Sequence, residues 1–562
     1  MRILTSLLLC WLWLSLPLPA QWQIDGIAVS DTSGSQAVGS VISDGQGGAF
    51  IIWGDSRPGS GGGDIYAQHV DGEGNFYWEK QGRAIIQAPG MQFAPQAVPD
   101  GEGGFVMRWH DTRNDGSRDV YMQRVNFDGE TLWQTNGVPV IIQPYDQAPI
   151  GLIRSSDGNY IVGWQDDRNH PDPSATYAQM ISPNGELLWE ENGVLASIRT
   201  GFPEIVSDLK GGGIFVWASF DGTRQLYAQR LDGKGNRLWG EDGVVASTNF
   251  AHWSDSRLSL SSDSVGGVII GWEYSPGSDP ANHNVFIQRL DSAGNRLWGD
   301  TGIQFGTPGL QQLAPQIGML HKNRFVCVWF EFPQLYAPSL YLQKFDINGN
   351  PLFPAPGITI NNYTASSEYQ IMINRQKEII IFAKKLVVLT PNTFHLYVHK
   401  VDSSGNLLWQ DSSGVAVNRQ PQVTTNSVQP LLTPDLQGGA IVSWIDYRKA
   451  TRPDCYAQRV YADGRVGGDT TITGLEGRKK KEESTKKIEI ESMYPNPFNA
   501  QITVVFSLEQ PETVKIGIYN IKGQTIKTLS HHRFNGGKHA VQWNGTDHTG
   551  KEVSSGLYLV VF

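Results

Sequence analysis

The chain has 562 residues and a formal net charge of −10, with 63 glycines and 18 tryptophans. This length allows two or more domains, and the many glycines with few helix-favouring stretches indicate an all-β protein rich in turns. The mildly acidic balance argues against nucleic acid as a partner, because binding to phosphates requires a basic surface.

The first 20 residues have the composition of a secretory signal peptide. Arg2 is followed by an apolar run, and the segment ends in small or turn-forming residues at Ala20. This pattern predicts cleavage near Ala20. A membrane anchor is the alternative, but the run is short and is broken by Pro17 and Pro19. We expect no transmembrane segment in the mature chain.

Residues 21–474 contain eight copies of one sequence repeat. Each copy has a Gly-rich turn, a short apolar strand that ends in Trp, and a Tyr-x-Gln strand. The spacing of roughly 55 residues is typical of a four-stranded propeller blade rather than of a helical repeat. The first marker falls at Trp53, Trp109, Trp164, Trp217, Trp272, Trp329, Phe382 and Trp444.

A third marker, Trp followed by Gly four or five residues later, is missing from the eighth copy. It occurs instead at the start of the array, as Trp22 and Gly26. We therefore predict an eight-bladed β-propeller in which the N-terminal strand completes the last blade, so that no sheet edge stays open. A solenoid is the alternative, although a solenoid needs no such displaced half-repeat.

The second copy shows the expected strands of a blade. They are Ala94–Val98, Gly104–Trp109, Asp119–Val125 and Gly137–Ile141. Runs that are apolar on successive residues indicate sheets covered on both faces. The Gln of each Tyr-x-Gln is interpreted as a buried structural amide that bonds the backbone of a neighbouring blade.

The Asp-x-x-Gly-Asn stretches are interpreted as tight turns. Calcium loops are the alternative, but each turn usually offers a single carboxylate, so no metal is predicted. We also predict no cofactor and no catalytic residue, because no nucleophile elbow, zinc-spaced His/Cys set or phosphate loop stands out. Cys327 and Cys455 fall in different blades and should stay unpaired.

One pattern, Trp-x-Asp-x-Arg, follows the second strand in only four copies. In a closed ring these copies would be contiguous, which defines a candidate binding sector on one propeller face. One interpretation is that each Asp pairs with an Arg and ties the loops together. The other is a polar sector that recognises a sugar, peptide or surface polymer. The residues are Asp55, Arg57, Asp111, Arg113, Asp166, Arg168, Asp446 and Arg448. Tyr274, Phe330, Phe332 and Tyr336 add aromatic residues to the equivalent loops of other copies.

The last part of the chain predicts a second, smaller all-β domain. Residues 475–491 are charged and are interpreted as a solvated linker, and residues 492–562 as a small Ig-like β-sandwich. The expected strands there are Ile502–Leu508, Val514–Asn520, Gln524–Leu529, His539–Trp543 and Gly556–Phe562, with His531 and His532 in a turn.

The same segment carries motifs of a known domain. The first is Tyr494, Pro495, Asn496, Pro497, Phe498 and Asn499, followed by Trp543-Asn544-Gly545-Thr546-Asp547 and Ser555-Gly556-Leu557-Tyr558. These motifs resemble the C-terminal sorting domain of type IX secretion cargo, which is similar to the Ig-like domain of flagellar hook-capping proteins. The resemblance implies type IX secretion machinery as a partner, with export through the periplasm to the medium or the outer-membrane surface.

The sequence thus favours a secreted or cell-surface binding or scaffold protein with an extracellular glycan or protein as its possible ligand. The alternative is a polysaccharide-acting hydrolase or lyase with its site on the propeller face. Close carboxylates with perturbed ionisation on that face would distinguish the enzyme from the binding protein.

Overall fold

A computed structural model describes residues 22–468 and 488–561. The description omits residues 58, 60–61, 171–173, 199–200, 202, 220–224, 250–257, 276–282, 335–336, 363–367, 390–391, 410–413, 419–421, 424–429, 449–451, 495–500, 509, 521–523 and 555–557. The expected signal peptide, most of the expected linker and the motif residues Pro495 to Asn499 lie outside the described residues.

The described residues form strands and turns and contain no helix, so the all-β prediction is confirmed. The first strand, β1, is Ile27–Ser30, and it belongs to the sheet of the last repeat. Repeats 1 to 4 each form one four-stranded antiparallel sheet with strands in sequence order. The strands are β2 Gln36–Ser43, β3 Ala49–Asp55, β4 Asp64–Val70 and β5 Arg83–Ile86; β6 Gln92–Pro99, β7 Phe105–Asp111, β8 Asp119–Val125 and β9 Val138–Ile141; β10 Gln147–Arg154, β11 Tyr160–Asp166, β12 Ala175–Ile181 and β13 Val194–Ser197; and β14 Glu204–Ser207, β15 Gly213–Ala218, β16 Leu226–Leu231 and β17 Val244–Ser247.

Repeats 5 to 8 continue the same pattern. The sheet of repeat 7 has a fifth strand, and the sheet of repeat 8 has the order β31, β32, β33, β1. The strands are β18 Ser259–Ser262, β19 Val268–Tyr274, β20 Asn284–Leu290 and β21 Ile303–Phe305; β22 Gln311–His321, β23 Arg324–Gln334, β24 Ala337–Asp346 and β25 Ile358–Asn362; β26 Tyr369–Ile373, β27 Ile379–Leu389, β28 Asn392–Val401, β29 Val415–Ala416 and β30 Gln422–Val423; and β31 Leu431–Pro434, β32 Ala440–Asp446 and β33 Asp454–Val460.

The Trp and Gly markers recur together because they pack on each other. Gly82 has a φ of +80°, and a Cβ on it would lie 2.2 Å from Cη2 of Trp53. Gly137 meets Trp109 at 2.4 Å in the same way, and Gly26 of the N-terminal segment meets Trp444 at 2.6 Å. Only glycine tolerates both this φ and this approach, so in these three places the backbone of the return loop lies directly on the buried indole.

Consecutive repeats are joined by a recurring hydrogen bond. The backbone N–H of the Gln near the start of strand one donates to the carbonyl that precedes strand three of the previous repeat. The bonds are Gln92 to Gly63 at 2.9 Å, Gln147 to Arg118 at 2.6 Å and Gln312 to His283 at 2.8 Å. Gln36 donates to Pro453 at 3.0 Å in the same manner, which joins repeat 1 to repeat 8.

A second recurring bond runs along the array at the third marker. Its indole N–H donates to a turn carbonyl of the following repeat, as Trp133 to Pro183 at 3.0 Å, Trp239 to Ser292 at 3.2 Å and Trp409 to Ala462 at 2.8 Å. Trp22, beside β1, donates to Gly72 of repeat 1 at 2.9 Å. The buried core likewise lies between adjacent sheets: Ile51 and Trp53 of repeat 1 share one cluster with Ile441 and Cys455 of repeat 8. These sheets give a propeller-like fold.

Cys327 and Cys455 are both buried and free, as predicted. Burial raises the pKa of each thiol well above its ordinary value.

The C-terminal unit is described by itself and consists of two three-stranded sheets, as the Ig-like prediction requires. One sheet has the order β34, β35, β38 and the other β37, β36, β39. The strands are β34 Ile488–Tyr494, β35 Ile502–Leu508, β36 Glu512–Asn520, β37 Thr525–Phe534, β38 Gly537–Trp543 and β39 Tyr558–Val561. β34 pairs along β35, so a strand begins within the segment 475–491 that the sequence assigned to the linker. His531 and His532 lie in β37 rather than in a turn.

Candidate functional site

The Asp of the Trp-x-Asp-x-Arg pattern is the last residue of strand two and is enclosed by its own repeat. In repeat 2, Asp111 is fully buried. Its Oδ2 accepts a hydrogen bond from the Trp109 indole at 2.8 Å, and its Oδ1 accepts one from the Arg113 backbone N–H at 3.0 Å. The Arg113 guanidinium completes the arrangement with an ion pair to Oδ2 at 2.5 Å. The Asp111 carboxylate thus fixes both the Trp109 indole and the start of the loop that contains Arg113.

The arginine is fixed on two further sides. Nη2 of Arg113 donates to the carbonyl of Asn136 at 3.0 Å, and its guanidinium carbon lies 4.1 Å from the centroid of the Tyr121 ring. The three other copies repeat this geometry, with Nη2 to Oδ2 ion pairs of 2.6 Å for Arg57–Asp55, 2.5 Å for Arg168–Asp166 and 2.6 Å for Arg448–Asp446. The carboxylates are buried, whereas the arginine side chains stay between 16% and 26% exposed. In each pair, the arginine and not the carboxylate has exposed surface.

Sequence reasoning missed a second carboxylate directly across from this Asp. Asp64 is the register partner of Asp55, Asp119 of Asp111, and Asp454 of Asp446. Side chains directly opposite each other in an antiparallel pair share one face, where like charges are unfavourable. In repeat 3 the partner of Asp166 is Ala175 instead. The signal in the sequence was an Asp two residues before the Tyr of Tyr-x-Gln.

Two of the second carboxylates, Asp119 and Asp64, have raised pKa values. Burial raises the pKa of Asp119 from 3.8 to about 6, opposed by a hydrogen bond from Asn114 and reinforced by the charges of Asp115 and Asp111. Asn114 Nδ2 lies 2.5 Å from Oδ2 of Asp119, whereas the buried Oδ1 has no hydrogen-bond partner. Burial also raises the pKa of Asp64, opposed by a hydrogen bond from Gln87.

In repeat 6 a glutamate, Glu331, occupies the position of the buried Asp. Glu331 is fully buried, and its Oε2 accepts hydrogen bonds from the Trp329 indole at 3.3 Å and from Thr307 N–H at 2.9 Å. Its Oε1 has no partner. The equivalent aromatic residues do not form one exposed surface: Phe330 is fully buried and Tyr274 packs edge-on against Phe286. The side chain of Tyr336 lies outside the described residues.

The repeated Gln bonds its own repeat rather than a neighbouring blade. Gln179 Nε2 donates to Glu190 O at 2.9 Å, and its Oε1 accepts from the N–H groups of Met180 and Trp189, each at 2.9 Å. The amide therefore fixes the return loop that carries the third-marker Trp. In repeat 8 that loop comes from the N-terminus, and Gln458 donates to Gln23 O at 2.7 Å.

A buried arginine after the Gln was also missed, although Tyr-x-Gln-Arg is visible in repeats 2, 4 and 8. Arg459 pairs with Asp435 at 2.9 Å and donates to the carbonyl of Gly72 in repeat 1. Arg230 pairs with Asp208 at 2.8 Å and donates to Ser292 O of repeat 5, also at 2.8 Å. These arginines stabilise the contacts between repeats.

The Asp-x-x-Gly-Asn turns use their carboxylates internally. Oδ1 of Asp71 accepts from the N–H groups of Glu73 at 2.9 Å and Asn75 at 2.8 Å, and Oδ2 accepts from the Asn75 amide at 2.7 Å. Among the described residues, no three His, Cys, Asp or Glu side chains come together as a metal-ligand set. The described part of the chain also has no helix with the length and apolarity of a membrane span.

Comparisons with known proteins identify the C-terminal unit. Residues 498–561 match the FlgD Ig-like domain family. No curated protein sequence matches the chain. Solved structures that are similar to it include a protein of unknown function from Dyadobacter fermentans, with 13% identity over 58% of this chain and 99% of that chain and a TM-score of 0.31.

Two further structures are enzymes. A PL25 ulvan lyase has 10% identity over 66% of this chain and 93% of its own, with a TM-score of 0.42. Prolyl oligopeptidase B from Galerina marginata has 12% identity over 75% of this chain and 56% of its own, with a TM-score of 0.38.

Proposed function

We propose that the eight repeats close into an eight-bladed propeller, with β1 completing the last blade. The support is that the contact of repeat 8 with repeat 1 uses the bonds found between other consecutive repeats, including Gln36 to Pro453 and Trp22 to Gly72. Averaged electron micrographs of the mature chain, seen along the ring axis, should show eight lobes around a central opening. A crescent with two free ends would contradict closure.

The propeller acts as a binding or scaffold module outside the cell, and its C-terminal Ig-like unit serves as the sorting address. The observation that carries the binding role is the asymmetry of the array. Among the described residues, an Asp–Arg pair holds the loop after strand two in repeats 8, 1, 2 and 3, and the four arginine side chains are partly exposed. Frameworks that repeat in every blade stabilise the fold, whereas a feature confined to one sector is available for recognition.

Binding is tested with glycan and peptide arrays probed by the mature chain, residues 21–562. Arg113→Met and Arg168→Met remove two guanidinium edges but leave the buried carboxylates in place. Arg296→Met is the matched control, because Arg296 forms an exposed ion pair with Asp300 in repeat 5. We expect the first two variants, and not the control, to weaken binding. Equal binding by all three would place the ligand elsewhere.

Export is tested separately with a fusion of residues 475–562 to a periplasmic reporter in a bacterium that has the type IX machinery. The reporter should reach the medium or the cell surface. Retention in the periplasm would contradict the sorting role and would leave the binding role standing.

A polysaccharide-acting hydrolase or lyase is the second candidate, and the Asp111/Asp119 pair is the observation that favours it. Asp119 has the raised pKa that a general acid needs, but both carboxylates are almost completely buried. Release of reducing or unsaturated sugar ends from a polysaccharide panel, abolished by Asp119→Asn, would favour the enzyme over the binding module.

A further inference from the structure

Three of the loops that lead into strand one have the same backbone course. In each loop, one hydrogen bond joins the end of strand two to the start of strand one. The donor is the backbone N–H of the residue after strand two. The acceptor is the carbonyl of the residue that precedes the first Gln of strand one. The bonds are Ser56 to Ser35, Thr112 to Met91 and Asp167 to Asp146, all at 3.0 Å. The residues that precede the three acceptors therefore occupy equivalent positions, and they are Gly34, Gly90 and Tyr145.

That position is glycine in two loops and tyrosine in the third. Gly34 has a φ of +128°, Gly90 of +78° and Tyr145 of +66°. At Gly90 a Cβ would lie 2.9 Å from the Thr112 carbonyl oxygen, so two of the loops have little room for a side chain. A bulky residue at positive φ is strained, and strain of this kind accumulates at functional positions. In the third loop, a large aromatic residue, Tyr145, adopts a conformation that favours glycine.

The ring is presented to solvent with one face supported. Tyr145 is 50% exposed. It stacks on His170 with ring centroids 5.0 Å apart and planes 24° apart. The backbone N–H of His170 donates to Asp167 O at 2.9 Å, so the supporting ring is itself held by the loop. The stack forms a preorganised aromatic surface.

The next residue in the chain holds two hydrogen-bonding side chains together. Asp146, the next residue, forms an ion pair with Arg118 at 2.6 Å, and its Oδ1 accepts from the Arg118 backbone N–H at 2.9 Å. The two side chains are 36% and 40% exposed. A carboxylate acceptor and a guanidinium donor are thus fixed side by side with no net charge.

We propose that Tyr145, Asp146 and Arg118 form a binding site for a neutral saccharide, at the junction of repeats 2 and 3. The apolar face of a pyranose ring stacks on an aromatic ring, and adjacent hydroxyls donate to a carboxylate and accept from a guanidinium. The balanced ion pair favours an uncharged sugar over an acidic one. This inference rests on the proposed binding function and names the ligand class for one edge of the same sector.

The test is a titration of the mature chain with the neutral oligosaccharide that an array selects. Tyr145→Gly removes the ring and supplies the residue that the backbone conformation prefers, so folding is not put at risk. It should lower affinity about tenfold or more, whereas Tyr145→Phe keeps the stacking surface and should bind like the unaltered chain. Arg118→Met should also weaken binding.

Tyr77 provides the matched control. It is 54% exposed and stacks on His69 at 4.3 Å, but His69 pairs with Asp44 and both of these side chains are buried, so this pair has no exposed donor or acceptor for a sugar. Tyr77→Ala should leave sugar affinity unchanged. The proposal is overturned if Tyr145→Gly binds normally, if Tyr77→Ala alone loses binding, or if the array selects only peptides. Selection of peptides would still leave the proposed binding function standing, whereas no binding on either array would count against both.

Discussion

Asp111 and Asp119 lie directly opposite each other on β7 and β8, and both are buried. Asp111 accepts hydrogen bonds from the Trp109 indole and from Arg113, so both of its oxygens have partners. Asp119 has one oxygen bonded by Asn114 and one without a partner, and its pKa is about 6. The repeat therefore contains one carboxylate whose oxygens are both bonded and one whose raised pKa makes its ionisation costly.

The first prediction follows from the raised pKa of Asp119. A carboxyl group whose folded pKa exceeds its unfolded value is penalised for ionising, so its contribution to stability falls as pH rises from about 4 to about 6. Asp119→Asn should raise the free energy of unfolding by about 1 to 2 kcal/mol at pH 7.5, after allowance for solvent screening, and by much less at pH 4.5. Urea unfolding at the two pH values measures the difference.

Repeat 3 supplies the control for this experiment, because Ala175 stands opposite Asp166 there. Ala175→Asp recreates the carboxylate pair and should destabilise the chain at pH 7.5 more than at pH 4.5. A pH-independent effect of either substitution would show that charge repulsion and burial are not its cause.

The second prediction concerns the approach of Gly82 to Trp53. Gly82→Ala places a Cβ at 2.2 Å from the indole and at a φ of +80°, so both a steric clash and backbone strain oppose it. We expect a loss of about 2 to 4 kcal/mol. Gly45→Ala has a similar φ of +79° but no atom within 4 Å, and should cost about 1 kcal/mol. Similar losses for the two variants in urea unfolding would refute the packing explanation.

Features that repeat with the array could be predicted from the sequence. The Trp, Gln and Gly markers gave the sheets and their order, and β8 begins and ends at the residues expected. Repetition reveals such positions because every copy buries the same groups in the same way. The marker Gly could also be placed, but its reason, direct contact with the indole, is visible only in the fold.

Features that depend on pairing across loops could not be predicted. The Asp64 and Asp119 positions are separated from Asp55 and Asp111 by loops whose geometry sets the register. The partner of the repeated Gln was assigned to the wrong blade, because a strand pattern gives the face of a side chain but not the loop above it. The start of β34 was assigned to the linker, because the charged residues before it obscure its short alternation of apolar and polar residues.

The third prediction tests the repeated Gln as a loop clamp. Gln179→Leu keeps the apolar volume but removes one donor and one acceptor that together serve three backbone groups. Leaving these buried groups unsatisfied should cost about 3 kcal/mol. Gln304→Leu is the control, because the Gln304 side chain is exposed and donates to the Asn284 side chain at 3.0 Å; it should change stability by less than about 0.5 kcal/mol. Thermal unfolding that ranks the two variants equally would argue against the clamp.

The fourth prediction concerns the two free cysteines. Cys327 and Cys455 are fully buried, and burial raises the pKa of both thiols well above the ordinary value, so the reactive thiolate is both rare and inaccessible. A thiol reagent added to folded residues 21–562 at pH 8 should modify neither cysteine within the time that a free thiol takes to react completely. In concentrated urea both should react. Rapid labelling of the folded chain would contradict the burial of these two residues between the sheets. A disulfide found by mass spectrometry would also contradict their placement, because the two sulfur atoms belong to sheets of different repeats.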